Sequence, residues 1–126
     1  LKPGFGLAFS FNPLLEPSLC MDSILIVTTT LPTMDAARLL GQQLIGERLA
    51  ACVQIQEGVH SIYRWDGEVC NDTEVLLSAK TATTQWKGIE AFIRANHPYQ
   101  LPEIIALKPA EYSQAYGRWV NEETKS

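Results

Sequence analysis

The sequence is poor in the residues that build most catalytic and metal-binding centres. It has two histidines, His60 and His97, and three cysteines, Cys20, Cys52 and Cys70. The cysteine count is odd and no C-x-x-C pair occurs. That argues against a disulfide framework and for reduced thiols in a cytosol-like compartment. So few histidines and scattered cysteines cannot close a four-ligand metal site with any familiar spacing, so a metal site here is open, weak or shared between subunits. No P-loop, G-x-G-x-x-G, H-E-x-x-H or G-x-S-x-G motif is present. No nucleophile–base pair can be read from spacing either, which places an enzyme last among the readings. Basic residues number 10 against 14 acidic ones, for a net charge of −4. A general nucleic-acid binder would carry a basic face instead. No apolar run approaches the roughly 18 residues of a membrane-spanning helix, so no membrane partner is expected.

What remains is an ordinary globular composition. Of 126 residues, 46% are hydrophobic and 19% charged, which suits one domain able to fold without a disulfide or metal staple. Residues 1–21 stand apart. Prolines and glycines interrupt any helical or strand period there, and the basic start and continuous apolar stretch of a signal peptide are missing. The expectation is a poorly ordered N-terminal extension, with the folded domain over 22–126. Phe5, Phe9 and Phe11 keep open a targeting remnant or an arm that docks on a neighbour.

The centre of the chain is Ser61–Glu103. Asp66-Gly67 lies between two strand-like runs, and both residues tolerate positive φ, so a β-hairpin is predicted. Before it, Ser23–Thr30 is β-branched and apolar and reads as a buried strand. Thr33 is placed to cap a helix running to about Leu49, with Ala37, Leu40 and Leu44 inward. Cys52–Gln56 alternates apolar and polar, and Gly58 marks a bulge before the strand resumes to Trp65. The return strand runs Glu68–Thr81, with an irregularity expected at Asn71-Asp72. Arms this long reach beyond a small sheet and need a cover. Thr83 or Thr84 is the expected cap of a second helix ending near Asn96, with Trp86, Ile89 and Ile93 inward. Pro98 stops it and pushes His97 into extended geometry. A last strand is expected over Glu103–Leu107. A final helix follows, with Tyr112, Ala115, Tyr116, Trp119 and Val120 as its apolar stripe, and Glu122–Ser126 as a solvated tail.

The order β-α-β-β-α-β plus a terminal helix is that of an α+β, ferredoxin-like domain with an antiparallel sheet and two helices on one face. The other face is left bare. The last helix or a second copy must cover it, which makes an oligomer the expectation.

Among residues able to carry chemistry, His97 combines a helix end with an imidazole suited to borderline metals, although a helix C-terminus also favours a histidine electrostatically. His60 reads as an exposed or interface side chain. Cys52 could bind copper or zinc as a thiolate; a buried structural thiol is the alternative, and Cys70 reads as a small apolar residue. Glu74, Lys80 and Glu103 form a polar pocket if they converge beside Tyr63 or Tyr99 at an interface, and are otherwise solvated charges or a structural ion pair. Trp65, Trp86 and Trp119 are packing anchors, with Trp65, beside the hairpin turn, a candidate subunit contact.

Cys52-Val53-Gln54-Ile55, Ser61-Ile62-Tyr63-Arg64-Trp65-Asp66-Gly67-Glu68, Glu74-Val75-Leu76-Leu77, Lys80-Thr81, His97-Pro98-Tyr99-Gln100-Leu101-Pro102-Glu103-Ile104 and Tyr116-Gly117-Arg118-Trp119-Val120 occur in that order, and together closely resemble the CutA divalent-cation-tolerance family over about Ser23–Asn121. The resemblance implies a homotrimer similar to PII signalling proteins, in which the long hairpins pair between subunits and Trp65 lies in the interface. It implies a non-enzymatic, cytoplasmic protein of divalent metal tolerance that binds copper or another divalent cation weakly. On the same grounds His97 is a candidate copper ligand and Cys52 a weaker one, and the inter-subunit clefts near Tyr63, Lys80, His97, Tyr99 and Glu103 resemble the effector sites of PII-like trimers. The second reading is therefore a signalling or scaffolding trimer that takes a small effector or a protein partner in those clefts.

Overall fold

The computed structural model describes residues 23–124, so the reading of residues 1–21 lies outside the described residues. The chain forms β1 (Ile24–Leu31), α1 (Met34–Gly46), β2 (Cys52–Trp65), β3 (Glu68–Ala82), α2 (Trp86–Asn96), β4 (Ile105–Leu107) and α3 (Gln114–Glu123). The four strands make one sheet in the order β2-β3-β1-β4, every neighbouring pair antiparallel. This is the expected ferredoxin-like order.

Alternation along each strand divides the sheet into two faces. Leu25, Val27 and Leu31 of β1, with Val75, Leu77 and Ala79 of β3, pack against Ala37, Leu40 and Leu44 of α1 and Ile89 and Ile93 of α2. Both crossover helices thus share one face and one core. Gly41 lets α1 approach closely, since a Cβ there would lie 3.0 Å from the Val53 side chain. The opposite face is covered only at one end, where Trp119 and Val120 of α3 close over Ile24 with Ala51, Cys52 and Tyr116 beside them. Gln54, Gln56, Ile105 and Leu107 remain exposed on it.

The hairpin is as long as its sequence promised. β2 and β3 pair from Cys52↔Lys80 out to Trp65↔Glu68, with one extra residue in β2 between Gln56 and Val59. Gly58 sits in that bulge at φ 78°. Asp66 and Gly67, at φ 51° and 77°, close the two-residue turn whose twist matches the strands. The irregularity expected at Asn71-Asp72 is absent, because both residues pair in register with Ile62 and Ser61.

Four boundaries differ from expectation, each for a local reason. α1 stops at Gly46, not near Leu49, because Arg48 turns left-handed at φ 58° while its amide and that of Leu49 bond back to Ile45 and Leu44. That C-terminal closure usually advertises itself with a glycine, and here an arginine occupies the position. Thr83 caps no α-helix, since Thr83–Gln85 form a 3-10 turn and α2 begins at Trp86. β4 starts at Ile105, not Glu103: its ladder with β1 ends at Thr28↔Ile105, and the Thr30 carbonyl, two residues on, is taken by a side chain instead. α3 starts at Gln114 under a Ser113 cap, which leaves Tyr112 outside the helix and Ala115 exposed. The tail is not wholly solvated. Thr124 is buried, and Arg48 and Gln85 donate to the carbonyls of Glu122 and Thr124.

Candidate functional site

Where α2 ends, Pro98 forbids a further helical turn and His97 takes φ −88°, ψ 138°. This extended step aims the imidazole at the end of β1. Nε2 donates to the Thr30 carbonyl over 2.8 Å, and Nδ1 accepts the Tyr99 amide over 3.1 Å. One nitrogen gives and the other receives, so the ring is the neutral Nε2–H tautomer. Burial pushes its pKa below the ordinary value, partly opposed by the Thr30 carbonyl and the Glu74 carboxylate.

Tyr99 continues the chain of contacts. Its ring lies 4.9 Å from that of His97, tilted by 46°. Its hydroxyl donates to Glu74 Oε2 over 2.7 Å. Burial raises the phenol pKa, and the bond to Glu74 raises it further. Glu74 itself is only 9% exposed, so this phenol is what a nearly buried carboxylate receives in place of water. Two residues along the same face of β3, Asp72 accepts the hydroxyl of Tyr63, which holds that phenol up at about 12. Thr30, His97, Tyr99, Glu74, Asp72 and Tyr63 therefore form one polar path, from the end of β1 to the root of the hairpin arm.

The other expected site residues lie elsewhere. Lys80 bonds to the Gln54 side chain, six residues along β3 from Glu74 and so about 20 Å away. Within one chain Glu74, Lys80 and Glu103 do not meet: Glu74 joins Tyr99, Lys80 is remote, and Glu103 is exposed. Cys52 pairs with Lys80 in the ladder. It lies beside Tyr116, whose phenol pKa is raised by burial first and by Cys52 second. Thr30 and Ile26 mark the His97 and Cys52 levels of the sheet, four residues or about 13 Å apart. His97 and Cys52 thus do not share an ion within one chain. Among the described residues no three His, Cys, Asp or Glu side chains cluster as a ready metal cage. Cys52 and Cys70 are free, half-buried thiols.

Trp65 is exposed at the arm tip, with Ile62 at 72% and Val69 at 59% beside it. Two grooves flank the outer strand β2. One, of about 440 Å³, is largely apolar and lies between Gly41 and Ile45 of α1 and Val53 and Ile55. The other, of about 350 Å³, opens on the bare face between Gln54, Gln56, Leu76 and Ser78. Asp72 and Thr30 are the members of the polar path that sequence reasoning missed; Thr30 enters through its backbone carbonyl, which no side-chain pattern marks. The signal for Asp72 was available, because in a regular hairpin Asp72 and Glu74 must share a face. Among the described residues no helix is long and apolar enough to cross a membrane.

The family model described as CutA1 divalent ion tolerance protein matches residues 25–123. The chain is 46% identical to the divalent-cation tolerance protein CutA of Thermus thermophilus over 99 residues, spanning 79% of this chain and 96% of that protein. It is 35% identical to the chloroplastic protein CutA of Arabidopsis thaliana, spanning 94% of this chain and 65% of that protein. Among solved structures, the Thermus thermophilus divalent cation tolerance protein superposes with a TM-score of 0.78 at 44% identity, over 81% of this chain and 99% of that one. CutA1 from Oryza sativa superposes with a TM-score of 0.79 at 36% identity, over 82% and 94%. The matched span holds the sheet but for Ile24, all three helices and the path from Thr30 to Tyr63, and the chain belongs to the CutA1 divalent ion tolerance family.

Proposed function

We propose that this protein is a non-enzymatic homotrimer of PII-like architecture that acts in divalent metal tolerance and binds copper weakly through His97. The observation that carries the ligand assignment is the Nε2–H bond to the Thr30 carbonyl. Metal-binding histidines are typically oriented in this way, with one ring nitrogen on a backbone carbonyl and the other as the donor atom. Nδ1 would be the donor atom, and it now accepts the Tyr99 amide, so an ion must displace that contact; one imidazole with a nearby carboxylate supplies neither four ligands nor a closed cage, and binding there is weak. Cys52 is a second, separate candidate, at the other end of the sheet. The free thiols of Cys52 and Cys70 suit a reducing, cytoplasmic compartment.

Assembly is supported by what one chain leaves open. β2 is a long strand at the sheet edge, the hairpin arm carries exposed Ile62, Trp65 and Val69, and Ile105 and Leu107 are exposed on the second sheet face. Long bare edges and exposed apolar patches call for a partner. Trp65→Ala is expected to weaken the trimer, and unchanged dissociation on dilution would refute its interface role. The ligand assignment is tested by electron paramagnetic resonance of bound Cu(II). Nitrogen hyperfine structure should be present in the wild type and lost in His97→Gln; persistence in the variant moves the ligand elsewhere.

A second reading, an effector-binding trimer, is favoured by the paired phenol–carboxylate contacts Tyr63–Asp72 and Tyr99–Glu74. Two adjacent carboxylates with Lys80 remote suit a cationic effector or partner group better than an anion. Thermal-shift screening of metabolites tests it, and no stabilisation by any of them counts against it.

A further inference from the structure

Between α1 and the root of β2 the fold leaves a groove of about 440 Å³. Two glycines shape it. A Cβ on Gly41 would press on the Val53 side chain at 3.0 Å, whereas a Cβ on Gly46 would meet nothing within 4 Å. The helix therefore runs close to β2 at Gly41 and leaves open space at Gly46. Exposed Ile45 and half-buried Val53 and Ile55 make the lining apolar, with exposed Arg38 and Gln42 on it as well. Val53 and Ile55 pack against the helix-covered core, so the groove opens on the helix side of the sheet. It lies away from the bare face and the arm tip through which assembly is proposed. Its volume is low in the roughly 300–1,000 Å³ range of binding clefts, which is room for a few side chains and not for a folded partner. From Arg38 to Gly46 it follows about 12 Å of helix.

The described residues begin at Ser23, whose carbonyl accepts the Thr83 amide. That bond fixes the point at which the preceding 22 residues meet the sheet. Among them, Phe5, Leu7, Phe9 and Phe11 alternate with Gly6, Ala8, Ser10 and Asn12. This is the two-residue period that gives an extended chain one apolar side. Extended, Leu7 to Phe11 spans about 13 Å, the length of the groove. Val27, Ala79 and Val53 stand at one level of the sheet, so Val53 lies two strands across and four residues along from Ser23, roughly 16 Å away. The 12 residues from Phe11 to Ser23 reach up to about 40 Å.

We propose that the groove between α1 and β2 is a docking site for the chain's own residues 5–11. Leu7, Phe9 and Phe11 lie against Ile45, Val53 and Ile55, with a phenyl ring on the Arg38 guanidinium. Arg38 makes no ion pair among the described residues, and a guanidinium stacks readily on an aromatic face. Covalent attachment favours this occupant over a separate peptide. A short tether holds its segment at an effective concentration on the order of millimolar, so contacts too weak to keep a free peptide are enough to keep this one. The docked arm closes the groove to other apolar segments, and a partner presenting one must first displace it.

The test is nuclear magnetic resonance of the full chain with labelled isoleucine and valine methyls and protonated phenylalanine in a deuterated background. Three of the four phenylalanines, Phe5, Phe9 and Phe11, belong to the arm. The fourth, Phe92, packs on the core and serves as the internal reference. Ring contacts are expected at the methyls of Ile45, Val53 and Ile55. They should vanish in the double variant Phe9→Ser with Phe11→Ser, while the Phe92 contacts stay. Gly46→Leu, which fills the open space without entering the core, should abolish them by a second route. No arm-ring contact at these methyls in the wild type overturns the proposal, and so do contacts that survive Gly46→Leu. Contacts from the Ile105 methyl in place of phenyl rings would give the groove to a second copy of the chain and overturn it equally.

Discussion

The hydroxyl of Tyr99 reaches Glu74 over 2.7 Å and fastens the turn after α2 to the strand that becomes the hairpin arm. Because Glu74 is nearly buried, losing this donor leaves a carboxylate short of a partner and far from full hydration. Tyr99→Phe is expected to cost about 1–3 kcal/mol of unfolding free energy, measured by denaturant titration. Glu74→Gln should share that loss, so the double variant should fall short of the sum of the singles by at least about 0.5 kcal/mol. Strict additivity would mean that the bond does not contribute in solution.

His97 supplies a pH dependence. Its pKa is held below the ordinary 6.5 by burial, so the folded chain keeps it neutral where the unfolded chain protonates it. The unfolded state then binds more protons below about pH 6.5, and stability falls with pH there. The contribution of neutral His97 is complete above 6.5 and is lost as the pH drops below it. Urea midpoints between pH 7 and about 5 should therefore decline more steeply in wild type than in His97→Gln. Parallel declines would assign the acid sensitivity to other groups.

Thr29 Oγ1 is fully buried on the helix-covered face with no hydrogen-bond partner. Thr29→Val keeps the shape and removes an unsatisfied hydroxyl, so it should be neutral or stabilise by up to about 1 kcal/mol. A loss larger than that, read from thermal unfolding, would reveal a partner for the hydroxyl.

At the arm tip, Gly67 sits at φ 77°, where a Cβ is strained whatever the surrounding space. Gly67→Ala should cost about 1 kcal/mol or more and fray the Trp65–Glu68 end of the hairpin first. Amide hydrogen exchange at Trp65 and Glu68, the hydrogen-bonded pair that flanks the turn, reads this out, and unchanged protection would mean that the turn is not what holds the register.

Much of this architecture was legible because the relevant signals are local. Asp66-Gly67 announced the hairpin, Gly58 the bulge, Pro98 the end of α2, and the β-branched run at Ile24–Leu31 the central strand. The misplaced boundaries arose where long-range contacts decide. Nothing near Glu103 in sequence says that His97 occupies the Thr30 carbonyl and ends the β4 ladder. Nothing near Leu49 says that Arg48 will adopt a left-handed turn and reach the Glu122 carbonyl. The candidate site was half legible for the same reason. His97 and Tyr99 are near neighbours in sequence, but their partners Thr30 and Glu74 come from other strands. Lys80, equally prominent in sequence, is carried to the far end of the sheet by simple strand rise.

The most direct test is native mass spectrometry of the reduced protein during addition of Cu(II), which weighs the assembly and counts its ions in one spectrum. The account predicts a particle of three chains that saturates at about one ion per chain, and in which His97→Gln stays trimeric but takes up none. A particle of another size, or a trimer whose copper uptake is non-saturating and indifferent to His97, would contradict it.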